Sequence, residues 1–132
     1  MATKRTGMKG LLILIEPDAS VRDALTLLLR AEGWEVLEAT DCRELAQGIE
    51  TTSGQGGVTA VISESTLPDC SPVEILDLCS KHGVAVVFTG HDLSLQGAVD
   101  LIRHGAADFL DKPFPQGRLL DLLERLAKRQ NG

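Results

Sequence analysis

The sequence predicts an α/β protein, a doubly wound parallel sheet of five strands with five helices packed around it. Three observations lead to this prediction. Short, continuously apolar runs recur along the chain, which is typical of strands that are covered on both faces. Segments with the 3.6-residue period of a helix lie between these runs. Strand and helix alternate five times, and this order favours right-handed crossovers and a parallel sheet.

Five strands are expected from the apolar runs. Three of them are continuous, bounded by turn residues and too short for helices. The second strand is more polar than these three and is therefore expected nearer an edge of the sheet. The predicted strands cover residues 11–15, 34–39, 58–62, 84–88 and 107–110.

Five helices are expected between and after the strands. The first has an apolar stripe from Val21 to Leu29, with Asp18 or Ser20 as its N-cap. Gly33 closes it, because a left-handed residue is commonly needed at that position. The other helices are predicted over 41–50, 72–81, 95–102 and 119–126.

The chain length of 132 residues is enough for one domain with a single core and too short for two. The domain is predicted over 10–129, with a disordered head at 1–9 and a short tail at 130–132. A net charge of −6 argues against direct binding of nucleic acid. No apolar run approaches the ~20 residues needed to span a bilayer, so no membrane association is expected.

The cysteine pattern indicates a reducing compartment. There are three cysteines, an odd number, and none of them has the CxxC spacing of a redox or metal motif. We therefore expect a cytoplasmic protein.

Polar side chains follow four of the predicted strands. Glu16 and Asp18 follow the first strand, Glu64 the third, Thr89 the fourth and Lys112 the fifth. Ligands of doubly wound sheets bind at the carboxyl ends of the strands, so these side chains are expected to converge. Carboxylates suit a hard cation such as Mg²⁺, and a hydroxyl beside an ammonium suits a phosphoryl group.

Four segments resemble the receiver domain of bacterial response regulators, over about residues 10 to 127 and in the same order. The segments are LLILIEPDASVRDAL (11–25), AVISESTLPD (60–69), AVVFTGH (85–91) and GAADFLDKPF (105–114). The resemblance implies a flavodoxin-like fold with strand order 2-1-3-4-5.

The resemblance also implies a phosphorylation switch. In the family an Asp at the end of the third strand takes a phosphoryl group from a histidine kinase, and an acidic pair after the first strand binds Mg²⁺. By position, Thr89 matches the hydroxyl that contacts the phosphoryl group, and Lys112 matches the lysine that pairs with it. Phe109 matches the aromatic residue that changes rotamer, and the Lys112–Pro113 peptide bond is expected to be cis.

Two residues depart from the family pattern. Glu64 stands at the phosphoacceptor position, and Pro17 follows Glu16 in the acidic pair. Glutamate extends its carboxylate by ~1.5 Å relative to aspartate, and in-line transfer is sensitive to such a displacement. Proline offers no side-chain oxygen, and Mg²⁺ tolerates poor geometry badly.

These departures lead to a hypothesis. We expect Glu64 and Lys112 to form a standing ion pair in a pseudo-receiver that never cycles through phosphorylation and is not an enzyme. No metal or other cofactor is expected, although Glu16, Asp18 and Glu64 are weak Mg²⁺ candidates. For Asp18, a first-turn acid favoured by the helix dipole is an equally good interpretation.

The resemblance further implies protein partners, namely a histidine kinase, an output domain or another signalling protein. Family members often use the face formed by the fourth helix, fifth strand and fifth helix, also for homodimers. Residues expected on this face are Leu101, Arg103, His104, Asp111, Arg118 and Asp121.

Three other interpretations remain open from the sequence. A conventionally regulated receiver would tolerate Glu64 and bind Mg²⁺ through Asp18. A small phosphotransferase of the haloacid-dehalogenase type is echoed by the run Ile15–Glu16–Pro17–Asp18, although its nucleophile would have to be Asp. A flavin carrier is disfavoured because the chain has only three Phe, one Trp and no Tyr.

Overall fold

The computed structural model describes residues 9–52, 57–91 and 94–131. Within these ranges five strands and five helices alternate along the chain. The strands are β1 Gly10–Ile15, β2 Trp34–Ala39, β3 Ala60–Glu64, β4 Ala85–Gly90 and β5 Asp108–Asp111. The helices are α1 Ala19–Ala31, α2 Cys42–Thr52, α3 Pro72–Ser80, α4 Leu95–Arg103 and α5 Gln116–Asn131.

The five strands form one parallel sheet in the order β2-β1-β3-β4-β5. This confirms the predicted flavodoxin-like, doubly wound fold. The chain leaves β1 toward β2 on one side and later returns to build β3 on the other. The switch point therefore lies between β1 and β3, where Glu16 and Glu64 stand at the carboxyl ends of adjacent strands.

The sheet is buried on both faces, which explains the continuous apolar run of β1. Leu12 and Leu14 pack into the cluster that contains Leu29 of α1 and the apolar residues of α5. Ile13 and Ile15 pack on the opposite face against residues of α2, α3 and α4. These four side chains are fully buried. Alternating polar residues would leave unpaired groups on one of these faces.

The ends of three strands, β3, β4 and β5, lie further along the chain than the apolar runs indicate. β3 continues through Ser63 and Glu64, which pair with Phe88 and Thr89 of β4. Glu64 is thus the last residue of β3, not a loop residue after it. At the carboxyl end of a strand the backbone ladder can continue while the side chain turns polar, because that side chain faces the crevice instead of the core.

The helix termini follow the predicted capping pattern. Asp18 is the N-cap of α1, and Gly33 follows the helix with φ +99°. Ser71 and Glu74 form a reciprocal capping box at α3, which places Pro72 at its first position. None of the helices in the described residues is long and apolar enough to cross a membrane.

Residues on both sides of the predicted domain, 10–129, take part in the fold. The Lys9 N–H donates to the Gly33 carbonyl at 2.7 Å, and Lys9 Nζ lies 2.6 Å from a Glu124 carboxylate oxygen. At the other end, α5 continues to Asn131. The remainder of the predicted head, residues 1–8, lies outside the described residues.

The cysteines do not follow the sequence expectation of a reduced set. Cys42 at the start of α2 and Cys70 in the β3–α3 loop form a disulfide, with their Cα atoms 6.3 Å apart and a sequence separation of 28. Cys79 is free and buried. Spacing along the chain did not reveal the pair, because the two residues meet only when the segments after β2 and β3 come together at the carboxyl ends of the strands.

Candidate functional site

Three charged side chains from three different strand ends meet at the switch point, and we call them the ion triad. Lys112, just after β5, donates from Nζ to Glu16 Oε1 at 2.7 Å and to Glu64 Oε1 at 2.7 Å. The side chains of Lys112 and Glu64 are each 12% exposed, and that of Glu16 is 4% exposed. The Lys112–Pro113 peptide bond beside the triad is cis, as the resemblance implied.

The electrostatics of the ion triad hold the lysine in its charged form. Burial alone lowers the pKa of Lys112, because it disfavours the ammonium. The hydrogen bonds to Glu16 and Glu64, together with their negative charges, outweigh burial and raise the pKa above its ordinary value. With both glutamates ionised, the triad carries one positive and two negative charges.

The loop between β1 and α1 fixes Glu16 in place. Glu16 Oε2 accepts the N–H of Asp18 at 3.2 Å, so both oxygens of this carboxylate have donors. Arg22 Nη1 donates to the Glu16 carbonyl at 2.8 Å and reaches the Pro17 carbonyl at 3.5 Å. Sequence reasoning missed Arg22, and its only signal was a position one turn after the N-cap.

Asp18 does not join the ion triad. Its side chain is exposed, and Oδ1 accepts the N–H groups of Ser20 at 2.9 Å and Val21 at 3.3 Å. These bonds satisfy donors that a helix start otherwise leaves unpaired. The carboxylate therefore caps α1, which agrees with the second of the two interpretations proposed for it.

The donor set of the triad does not fit Mg²⁺. That ion needs near-octahedral oxygen coordination. The Oε1 atoms of Glu16 and Glu64 already converge on the Lys112 ammonium, which is itself a cation. Pro17 has no side-chain oxygen and Asp18 is used by the helix cap. The Lys112 ammonium thus already binds one oxygen of each carboxylate.

Thr89 lies beside the triad without joining its hydrogen bonds. It is buried on β4 and is paired in register with Glu64. The Ser65 N–H donates to the Thr89 carbonyl at 2.8 Å, which ties the start of the β3–α3 loop to β4. Within the described contacts, the Thr89 hydroxyl bonds neither Glu64 nor Lys112.

Gly90 is a site residue that sequence reasoning passed over. A Cβ at this position would lie 3.4 Å from Glu64 Oε2 and 3.4 Å from the ring atom Cζ of Phe109, and it would collide with Ser65 Oγ. Phe109, the expected switch aromatic, is half-buried on β5. The only sequence signal was a glycine directly after Thr89 at a strand end.

The variant Gly90→Ala is expected to lower the free energy of unfolding by about 1–3 kcal/mol, because Ser65 must move within a packed site. Gly117→Ala is a matched control, since a Cβ there meets open space at the start of α5. The control should stabilise the protein by about 0.5 kcal/mol. Urea unfolding of both variants measures the difference, and equal values would contradict the close packing at Gly90.

The face formed by α4, β5 and α5 differs from its predicted composition. Leu101 is buried in the core and cannot contact a partner. The exposed apolar residues of this face are Leu95 and Ile102, with 82% and 44% of their surface accessible. They line a shallow groove together with Phe109. The other predicted residues are exposed, namely Arg103, His104, Asp111, Arg118 and Asp121.

Comparison with known proteins shows that the chain is similar to response regulator receiver domains and to transcriptional regulatory proteins. The family model described as the response regulator receiver domain matches residues 12–124. The C4-dicarboxylate transport transcriptional regulatory protein DctD of Pseudomonas aeruginosa is 33% identical over 117 residues, which cover 86% of this chain and 24% of that protein. The transcriptional regulatory protein FixJ of Bradyrhizobium diazoefficiens is 31% identical over 120 residues, covering 88% and 56%.

Solved structures share the fold. Full-length FixJ from B. japonicum matches with a TM-score of 0.75 and 28% identity, covering 93% of this chain and 59% of that one. The beryllofluoride-activated NtrC4 receiver domain matches with a TM-score of 0.82 and 23% identity, covering 92% and 98%. The chain spans about a quarter to just over half of the length of DctD and FixJ.

Proposed function

Since this chain belongs to the family of response regulator receiver domains, the signalling modules of two-component systems, we propose that it is a pseudo-receiver. Such a domain signals by binding other proteins in a fixed conformation, without a cycle of phosphorylation. One observation carries the proposal: Lys112 Nζ is hydrogen-bonded at 2.7 Å to both Glu16 and Glu64.

The ion triad already satisfies the groups that a phosphoryl group would need. A phosphoryl group on Glu64 would require Lys112 to leave at least one carboxylate in a site that is only 12% exposed. Breaking a buried ion pair without replacing a partner is costly. The glutamate carboxylate is also displaced by ~1.5 Å relative to an aspartate, which disfavours in-line attack.

The charge of Glu64 supports a single, permanent state. In a receiver that cycles, the phosphoryl group adds negative charge beyond the reach of the unmodified aspartate at the end of β3 and later removes it. Here the glutamate carries its carboxylate ~1.5 Å further out in the unmodified chain, where it is paired with Lys112 and adjacent to Thr89. We therefore infer that the conformation around β4 and β5 is fixed in the unmodified chain and does not change through phosphorylation.

The proposal includes no metal and no catalytic turnover. The carboxylates that would hold Mg²⁺ bind Lys112, and Asp18 caps α1. Membership of the receiver family gives no support to a haloacid-dehalogenase-type phosphotransferase or a flavin carrier. We also propose a cytoplasmic location, where two-component regulators act.

Addition of Mg²⁺ and beryllofluoride, a phosphoryl mimic, is expected to leave the amide NMR spectrum of this chain unchanged. The measurement is a titration followed by ¹H–¹⁵N correlation spectra, with the NtrC4 receiver domain, which is known in a beryllofluoride-activated form, as a responsive control. Shifts at Glu16, Glu64 and Lys112 that spread to Thr89 and Phe109 would instead indicate a conventionally regulated receiver.

We propose that the α4–β5–α5 face is the partner surface, either for a second copy or for another signalling protein. Leu95 supports this proposal, because it is the most exposed of the large apolar residues described. Leu95→Glu is expected to reduce self-association or partner capture at least tenfold while leaving the fold unchanged.

Leu27→Glu is the matched control for this surface, since Leu27 is 73% exposed on α1 and lies outside the α4–β5–α5 face. Sedimentation velocity measures self-association, and pull-down with a cognate kinase or output domain measures partner binding. The interface is wrong if Leu95→Glu and Leu27→Glu behave alike in both measurements.

A further inference from the structure

The disulfide between Cys42 and Cys70 lies outside the ion triad and has no role in the function proposed above. We propose that this pair is a reversible thiol-modification site, which a low-molecular-weight disulfide such as oxidised glutathione closes and reduced glutathione opens. The proposal does not depend on whether the triad can be phosphorylated.

The fold brings the two sulfurs together by contacts that do not require the bond itself. Asp69 accepts the Cys42 N–H with both carboxylate oxygens, at 3.0 and 3.3 Å. Leu67, in the same loop as Cys70, is only 9% exposed and packs into the core. A Cα–Cα distance of 6.3 Å between the cysteines lies in the range that a disulfide spans. The reduced pair is therefore held ready to close.

The environment of the pair allows a small reagent to reach it. Cys42 and Cys70 are half-buried, and the adjacent Asp69 and Ser71 are exposed. Cys79 differs from the pair in the two properties that govern thiol reactivity, namely its accessibility to solvent and the pKa of its thiol. It is fully buried, and this burial raises the pKa of its thiol to about 12. Exchange chemistry is thus directed to one pair of the three cysteines.

The closing reaction is a pair of thiol–disulfide exchanges. The thiolate of one cysteine attacks a sulfur of oxidised glutathione, the glutathione S–S bond breaks, and one glutathione thiolate leaves. The second cysteine then attacks the mixed disulfide, forms the Cys42–Cys70 bond and releases the second glutathione. The two cysteines are oxidised by two electrons, one glutathione disulfide is reduced to two thiols, and the protons balance.

Closure would join two segments next to the site. Cys70 belongs to the loop that leads from Glu64 to α3, and Cys42 is the first residue of α2. The Ser65 N–H already ties the start of this loop to the Thr89 carbonyl. The disulfide adds a covalent tie near its end, so oxidation restricts opening of the loop. Oxidation should therefore slow amide hydrogen exchange in residues 66–67 and 69–71.

The test equilibrates the full chain in glutathione buffers from fully reduced to fully oxidised and then alkylates the folded protein with N-ethylmaleimide. Intact mass should show two labels in the reduced protein and none in the oxidised protein. Cys42→Ser and Cys70→Ser should each retain one label under reducing conditions. The Cys79→Ala control should behave as the unmodified chain does.

A tryptic digest without reductant locates the bond. Cleavage after Arg30, Arg43 and Lys81 separates peptide 31–43, with Cys42, from peptide 44–81, with Cys70 and Cys79. In Cys79→Ala, a linked pair of these peptides can arise only from Cys42 and Cys70. Thermal unfolding should show a Tm rise on the order of 10 °C on oxidation, and this rise should be absent in Cys42→Ser.

Four results would overturn the proposal. They are two labels at every glutathione ratio, a bond that reduced glutathione does not open in the folded protein, a link that involves Cys79 or a second molecule, and reduced thiols shielded from alkylation by bound zinc. The last result would assign the Cys42, Asp69 and Cys70 cluster to a metal. The proposal is supported if the number of labels falls from two to none as the glutathione buffer becomes more oxidising, with a midpoint between the two extremes.

Discussion

Replacing Lys112 by methionine is expected to lower the free energy of unfolding by about 2–4 kcal/mol and the Tm by roughly 10 °C. The variant leaves Glu16 and Glu64 facing each other without their shared cation, in a site where neither side chain is more than 12% exposed. Removing one partner of a buried ion pair typically costs about 3–5 kcal/mol. We expect a smaller loss because the triad lies at the carboxyl ends of the strands, where water can reach the space that the lysine leaves.

Two comparisons separate this effect from a general loss of charge. Lys9→Met removes a lysine whose pair with Glu124 is well exposed, with side chains 37% and 42% accessible. It should cost less than about 1 kcal/mol. Glu64→Gln keeps a side-chain oxygen that can accept from Lys112 and leaves Lys112 paired with Glu16, so its cost should lie between those of Lys9→Met and Lys112→Met. Urea unfolding at neutral pH measures all three variants, and similar losses for Lys112→Met and Lys9→Met would rule out a structural triad.

The same variant has a defined pH dependence. Folding raises the pKa of Lys112, so the stabilisation is complete below the ordinary lysine value of 10.5 and is lost as the pH rises through the higher folded value. The stability difference between the unmodified chain and Lys112→Met should therefore be constant around neutral pH and narrow above pH 10.5. A difference that widens at alkaline pH would contradict the raised pKa.

The fold was predictable from the sequence because each element carried a signal of its own. The apolar run of β1 required burial on both faces, and the alternation of elements required parallel crossovers. Glu16, Glu64 and Lys112 could be assigned to one site for a related reason. Each stands at the carboxyl end of a strand, and the strand order brings those ends together.

Other features depend on side-chain direction or on distant contacts, which local patterns do not encode. Asp18 is one residue from the metal-ligand position of the family, but its carboxylate turns back to cap α1. Leu101 was expected on the α4–β5–α5 face from the family resemblance and is nevertheless buried. Cys42 and Cys70 are 28 positions apart and meet only in the folded chain.

The combined substitution Pro17→Asp and Glu64→Asp is expected to convert the silent site into one that responds to Mg²⁺ and beryllofluoride. The shorter carboxylate at position 64 moves back by ~1.5 Å and releases Lys112 from one of its two bonds. The new aspartate at position 17 supplies the oxygen that proline lacks. Pro17 is exposed and precedes the N-cap, so the exchange should cost no more than about 1 kcal/mol in loop rigidity.

A second double variant, Pro17→Ala with Glu64→Asp, decides whether Pro17 or Glu64 prevents the response of the site. It shortens the same carboxylate and removes the same proline, but it adds no oxygen. If the metal ligand is what the natural chain lacks, the aspartate variant should give saturable amide shifts at Thr89, Phe109 and Lys112, while the alanine variant stays unchanged. Equal responses would show that carboxylate length alone closes the site, and the absence of a response in both would mean that features beyond positions 17 and 64 exclude the phosphoryl mimic. Because Mg²⁺ depends on its oxygen ligands more strongly than the ion triad depends on Glu64, we expect the aspartate at position 17 to decide the outcome.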